Sequence, residues 1–356
     1  MTYMSNMNQA PSSTRPTMAD VARAAGVSPS TVDRVLNARV PVRSDTASRI
    51  HEAAQALGYH PVGVIRACLQ DERPRRTLGF LLQQRSSAFY GGLADALGAA
   101  TQASPDMQGR AVVEFLADMA PQAACTQLEQ LAKSCDALAL VAADHPRISE
   151  TIARLRAQGK PVFALVSNLD AAAHAGYAGL DNRRVGRTAA WFITRQARQA
   201  GPIGIFVGSH RYQCQELCEM SFRSYVREHA PDFELLEPVV TLESDHYAQE
   251  AARDLLQRHP DLVGVYVGGG GIDGVLQALR DHVDSQPTMP LVAVAHDLTP
   301  TTREALVNGY LQAVLSHPLP QLAERLVSAM AQALEEPLRA TQQIIVPFDI
   351  HTPESV

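Results

Sequence analysis

Aspartate and histidine stand side by side four times in this chain, at Asp144/His145, Asp245/His246, Asp281/His282 and His296/Asp297. Such neighbours could hold a metal or relay a proton, but adjacent residues on a strand point to opposite faces, so four pairs are not four sites. The motifs that usually carry chemistry on a strand-helix framework are missing. There is no G-x-G-x-x-G after a strand, no G-x-x-x-x-G-K-[ST] and no G-x-S-x-G. The run Gly268–Gly271 lacks both the basic residue of a phosphate loop and the spacing of a dinucleotide fingerprint. It reads either as a turn or as backbone N–H groups open to an anion. Cys214 and Cys218 share a helix face at i, i+4. Among five cysteines without metal-finger spacing they read as partly buried free thiols, with a redox pair or half a metal site as the alternative. No metal, cofactor or catalytic residue is expected.

The remaining candidates follow short apolar runs. Strands are expected at 78–82, 111–116, 137–141, 162–166, 203–207, 237–241, 263–267 and 291–295, alternating with amphipathic stretches such as 92–101, 121–133 and 148–158. That alternation argues for parallel sheets with helical crossovers, and ligands in such folds sit beyond the carboxyl ends of the strands. Phe89 and Tyr90 follow the first strand, Asp144 the third, Ser167 and Asn168 the fourth, and His296 and Asp297 the last. Each also has a structural reading, as a core aromatic, a helix cap or a turn. His210 and Arg211, in the loop after 203–207, could bring positive charge to a ligand.

The first sixty residues have a different pattern. Thr17 can cap a helix with Met18, Val21, Ala22 and Ala25 on one face; Gly26 supplies a turn; Ser28 caps a second helix with Pro29 in its first turn. Val32, Val35 and Leu36 form that helix's inner stripe, leaving Ser30, Thr31, Asp33 and Arg34 outside. A third helix runs from Ser44 through Ile50, Ala53, Ala54 and Leu57 to Gly58. Two short helices about a glycine turn, the second with an exposed arginine, make a helix-turn-helix. A plain three-helix bundle for protein contacts is the alternative.

The run TMADVARAAGVSPSTVDRVLNARVPVRSDTASRIHEAAQALGYHP, residues 17–61, closely resembles the headpiece of the LacI/GalR family of transcriptional regulators, including its A-x-x-A-G-V-S-x-x-T-V-x-R-V-L-N core and closing L-G-Y-x-P. The resemblance implies base reading in the major groove by Pro29, Ser30 and Arg34, a guanidinium being suited to guanine O6 and N7. It implies phosphate contacts from Ser28 and Thr31 that fix register, and it counts Thr17 and Asn37 among the DNA-binding residues. Asp33 departs from the family's usual serine. Residues 62–69 then correspond to a hinge helix with Arg66 at the family's arginine, and with either Cys68 or Leu69 as the minor-groove wedge.

From Thr77 the chain is similar, more loosely, to the two-lobed, doubly wound periplasmic sugar-binding fold of the same family, through LDNRRVGRTAA (180–190), VAHD (294–297) and VNGYLQAVLSHPLPQLAERLV (307–327). That likeness implies crossings near Leu180, Asp297 and Ser316, a first lobe of 77–180 with 298–316, and a second of 181–297 with 317–348. It places His317 at the family's crossover glutamine and gives Asp297 vicinal hydroxyls to bind. Domain boundaries follow: a leader at 1–14, a headpiece at 15–61, a hinge and linker at 62–76, an effector and dimerisation domain at 77–348 and a tail at 349–356.

Composition agrees with that division. The net charge of −6 divides into +4 between Arg15 and Arg76, where ten arginines meet six carboxylates, and −10 beyond. A basic module on an acidic body suits a phosphate-backbone binder tethered to a sensor. No apolar run approaches a membrane span, and the N-terminal residues lack the apolar core of a secretory signal. The expectation is a cytoplasmic homodimer, off the membrane, whose partners are operator DNA and a small sugar, polyol or sugar acid. An α/β enzyme or a solute-binding protein with an added helical domain is the alternative.

Overall fold

The computed structural model describes residues 16–37, 44–59, 73–116, 119–285, 291–336 and 340–356. The chain divides into two compact units, residues 1–75 with 105–108 and residues 76–104 with 109–356.

The first unit holds three helices, α1 (Met18–Ala25), α2 (Pro29–Asn37) and α3 (Ser44–Ala56). Thr17 begins α1 through a capping box: its N–H and hydroxyl donate to Asp20 Oδ2 at 3.0 and 2.6 Å, and the Asp20 N–H returns to Thr17 Oγ1. Gly26 ends it at φ 63°, a left-handed conformation that a β-carbon disfavours. Val21, Ala22, Ala25, Val32, Val35, Ala47, Ile50, Ala53 and Ala54 form the buried core, with Met18, Val27 and Tyr59 against it. Arg49 of α3 donates to the carbonyls of Ala25 and Gly26, tying the third helix to the turn between the first two. Leu57, expected on the inner stripe, is 39% exposed. The helix has ended at Ala56, Gly58 turns at φ 66°, and Tyr59 packs on the core.

The second unit is built on two sheets. Its first lobe contains β1 (Arg75–Leu82), α4 (Ala88–Ala103), β2 (Gln108–Phe115), α5 (Pro121–Ala132), β3 (Ala137–Leu140), α6 (Pro146–Ala157), β4 (Val162–Leu165) and β5 (Gly176–Leu180). The second lobe follows with α7 (Asn182–Gln196), β6 (Pro202–Val207), α8 (Gln213–His229), β7 (Glu234–Leu235), β8 (Val239–Val240), α9 (Asp245–Arg258), β9 (Gly264–Val267), α10 (Ile272–Ser285), β10 (Val292–His296), α11 (Pro300–Val307) and β11 (Ala313–Ser316). The chain then returns to the first lobe as α12 (Leu319–Glu335) and β12 (Gln342–Val346), and ends in the second as β13 (Asp349–His351). The strand orders are β12-β5-β4-β3-β1-β2 and β13-β11-β10-β9-β6-β7, with β8 also on β6. The central strands β3, β4, β9 and β10 are buried throughout, as strands covered by helices on both faces must be.

All eight expected strands are present, but the lobe assignment after Asp297 is reversed. Residues 298–316 lie in the second lobe, because β11 pairs parallel with β10 (Val294 opposite Ala313). Residues 317–346 lie in the first, because β12 pairs parallel with β5 (Ile344 opposite Ala178) and α12 packs on α4. A strand-helix-strand unit keeps its strands adjacent, so β10, α11 and β11 stay together. Asp297 is therefore a turn within one lobe, and the third crossing comes between Val346 and Asp349. The expected tail at 349–356 instead supplies β13, antiparallel to β11, and Val356 packs against the second lobe's core.

Candidate functional site

On the headpiece, Ser28 Oγ accepts the Thr31 N–H at 3.2 Å and bonds the hydroxyls of Ser30 and Thr31 at 2.8 Å each. These bonds begin α2 and gather three hydroxyls at its N-terminus, beside the exposed Pro29 ring. Arg34 lies exposed on the same helix, while Val32 and Val35 are buried beneath it. Helical spacing makes this division: the apolar positions secure the helix and leave Ser30 and Arg34 facing out. Thr17 is committed to its cap. Asn37 is the last residue of α2; Arg66, Cys68 and Leu69 lie outside the described residues, as does the leader.

In the second unit a cavity of about 190 Å³ lies between the lobes, at the carboxyl ends of the strands. Phe89, Tyr90, Ser167, His296, Asp297 and His317 line it. Gln215, Glu243, Asp245, Asp273 and the Gly268–Gly271 run join them. The lobes meet around it: Gln84 donates to the Glu243 carbonyl at 3.2 Å, and the Cys214 N–H donates to Ser167 Oγ at 3.3 Å.

Strain collects here. Among the described residues the non-glycines with positive φ are Val166 (64°), Leu242 (54°), Glu243 (59°) and Asp297 (58°), and three of these line the cavity. Left-handed backbone costs a residue with a β-carbon about 1 kcal/mol or more and persists where the surroundings impose it. At Asp297 it turns the carboxylate so that Oδ1 accepts both the backbone N–H (2.9 Å) and the Nδ1–H (2.8 Å) of His317. Burial works against the charged form of Asp297, but the His317 ring and N–H outweigh it and lower the carboxyl's pKa. His317 Nε2, on the far side of the ring, is buried and has no hydrogen-bond partner among the described residues. In the neutral ring with Nδ1 donating, Nε2 is an acceptor. The Phe89 ring packs 5.3 Å from the His317 ring, tilted by 51°. His296 bonds the Tyr266 hydroxyl at 2.7 Å. Burial lowers its pKa to about 4, so the ring is neutral at pH 7.

The glycine run has a steric cause. A β-carbon on Gly270 would stand 2.5 Å from Glu243 Oε1, and one on Gly208 only 1.7 Å from it; one on Gly269 would meet the Gln215 amide at 2.7 Å. The glycines enclose a carboxylate that accepts from Gln215 Nε2 at 3.0 Å. A loop wrapped around a carboxylate is no anion site. Burial raises the Glu243 pKa, more than the Gln215 bond lowers it. Cys214 and Cys218 also line the cavity as free thiols, and burial pushes Cys214 up to about 12, which keeps it protonated and unreactive.

Four expected ligand residues are not brought to the cavity. Asp144 Oδ1 accepts the Asp170 N–H at 3.2 Å, a strand-end turn, and Asn168 is absent from the lining. His210 pairs with Glu219 at 2.7 Å, where Arg223 also donates, and Arg211 is exposed. Their loop is turned by Gln215, whose carboxamide oxygen accepts the Gly208 and Ser209 N–H groups. Glu243 was legible in principle, since it directly follows the strand expected at 237–241. Gln215 was not, because nothing local says that a helix residue reaches back over the preceding loop.

Residues 17–62 match the family described as bacterial regulatory proteins, lacI family, and residues 78–337 match the periplasmic binding protein domain. The HTH-type transcriptional regulator MalR of Streptococcus pneumoniae serotype 4 is 39% identical over 74 residues, 21% of this chain and 22% of its own. The HTH-type transcriptional regulator GalR of Escherichia coli is 36% identical over 81 residues, 23% of each chain. The chain thus matches roughly a fifth of the length of these curated relatives. Among solved structures, an ABC transporter solute binding protein from Agrobacterium vitis with bound D-fucose shares 17% identity at TM-score 0.70, covering 78% of this chain and 96% of that one. One from Burkholderia graminis in complex with D-arabinose shares 15% at 0.72, covering 80% and 97%. At these identities the likeness is one of fold.

Proposed function

The chain belongs to the periplasmic binding protein domain family, matched over residues 78–337, behind a headpiece that matches the lacI family over residues 17–62, and on that premise we propose that it is a lacI-type DNA-binding transcriptional regulator, a repressor, whose operator affinity is set by a small polyhydroxylated ligand. The observation that carries the reading is the presence in one chain of an exposed Arg34 face on α2 and an interlobe cavity lined by Asp297 and His317. Arg34, Ser30 and Pro29 read bases; Ser28, Thr31, Thr17 and Asn37 hold the backbone. Arg66 and either Cys68 or Leu69 belong to the hinge that follows.

In the cavity the Asp297 carboxylate and His317 Nε2 accept from ligand hydroxyls while Phe89 and Tyr90 supply aromatic surface; Ser167 and His296 complete the polar set. By about 10–15 Å³ per water, 190 Å³ holds roughly 13 to 19 waters, which leaves room for a monosaccharide. Relatives named as transcriptional regulators, and solved sugar-bound proteins of the same fold, support this reading over an enzyme. A near-palindromic operator is read by a homodimer, which works in the cytoplasm; no helix among the described residues is long and apolar enough to cross a membrane. The test is to select duplexes from a random library with the purified protein, then titrate the selected duplex with and without sugars that raise the protein's melting temperature. A selected sequence whose affinity changes with such a sugar supports the reading. Binding that is uniform across sequences and indifferent to every stabilising sugar refutes it.

A further inference from the structure

We propose that the ligand selected by this cavity carries a protonated amine among its hydroxyls, as an amino sugar or amino polyol does; the proposal rests on the carbohydrate reading above. Glu243 and Asp297 line the cavity, Asp245 and Asp273 stand exposed at its edge, and no lysine or arginine is among the described lining residues. The two edge acids have a second role in the first turns of α9 and α10, where carboxylates favour the helix dipole. The argument therefore stands on the inner groups. Asp297 has one carboxylate oxygen held by His317. His317 lines the cavity and is 8% exposed, and its Nε2 is buried without a partner among the described residues. Glu243 receives its one described side-chain donor from the neutral amide of Gln215, and its carboxylate occupies the space that a β-carbon on Gly208 or Gly270 would need.

These groups accept. A ligand carboxylate only accepts as well, and would face the Glu243 and Asp297 carboxylates with no lysine or arginine among the described lining residues to offset them. A hydroxyl gives one donor. An ammonium gives three, together with the charge that the inner carboxylates lack. The raised Glu243 pKa agrees with a carboxylate held without its counter-charge.

The experiment is titration calorimetry of the full chain at pH 7 with matched sets of aldohexose, amino-deoxyhexose and hexuronate in the gluco, galacto and manno configurations. In at least one configuration the amino sugar is expected to bind about tenfold or more tighter than its neutral counterpart, a conservative figure for one charge pair in a partly buried site, while the uronate of that set gives no heat. Glu243→Gln, which keeps the shape, should shrink that preference to within about twofold; if it lowers the melting temperature sharply, Asp273→Asn at the exposed edge serves instead and should reduce the preference in part. Neutral and amino members binding equally, or a uronate binding best, overturns the charge proposal and leaves the carbohydrate reading standing. Silence from every member of all three sets overturns both.

Discussion

Asp297 and His317 meet where the chain leaves the second lobe for the first, and a single carboxylate oxygen takes both the backbone N–H and the ring N–H of the histidine. This pairing orients the imidazole beside the cavity, with Nε2 buried and without a hydrogen-bond partner among the described residues. It also joins β10 to the segment that carries the chain into α12, so a ligand that touches His317 acts directly on a crossing between lobes. Closure around such a crossing is the usual way for this kind of fold to convert binding into a change of shape.

Asp297→Asn should weaken ligand binding by about 1–3 kcal/mol, since the His317 Nδ1–H loses a charged acceptor and the tautomer is no longer dictated. Calorimetry gives the loss, and fluorescence anisotropy on a selected duplex should show apo DNA affinity unchanged. An unaltered ligand constant would remove Asp297 from the site.

Stability should fall with acid through His296. Its folded-state pKa of about 4 lies below the unfolded value near 6.5, so the unfolded chain binds the additional proton. Stability conferred by the neutral ring is full above pH 6.5, declines as pH falls, and is gone below pH 4, a total of about 3 kcal/mol. Melting temperatures recorded from pH 7.5 to 4 should show this decline, and His296→Gln should flatten it. An equal slope in the variant would assign the acid sensitivity to other groups.

Arg34→Ala should cost roughly 1–3 kcal/mol on the selected duplex and little on random DNA, because the guanidinium is assigned to base edges. Equal loss on both would mean that it touches phosphate alone.

Gly208→Ala sets a β-carbon 1.7 Å from Glu243 Oε1 and should destabilise the second unit by about 2 kcal/mol or more. Shortening the acid, Glu243→Ala in the same chain, should restore most of the lost melting temperature. If the double variant melts no higher than the single, the glycine is needed for some reason other than room for the carboxylate.

The headpiece and most of the strands were legible in the sequence because their determinants are local. Thr17, Gly26, Ser28 and Gly58 act on neighbours within a turn or two, and the buried faces of α1, α2 and α3 repeat at helical spacing. Strands such as 137–141 and 263–267 announce themselves as apolar runs bounded by turns. Gly176–Leu180 (GYAGL) and Ala313–Ser316 (AVLS) do not, being short and rich in small residues, and their strand state comes from the neighbours they pair with.

The sequence alone determined that a helix-turn-helix headpiece precedes a body of alternating strands and helices, and it named six of the groups that line the cavity. Tertiary structure decided into which lobe each of the last two crossings carries the chain, at His317 and after Val346, because strand partnership is settled by long-range pairing and not by local pattern. It also decided the charge of the cavity. His210 and Arg211 stay out of the lining while Glu243 lies in it against glycines from two separate loops, an arrangement between residues far apart in sequence that only packing creates.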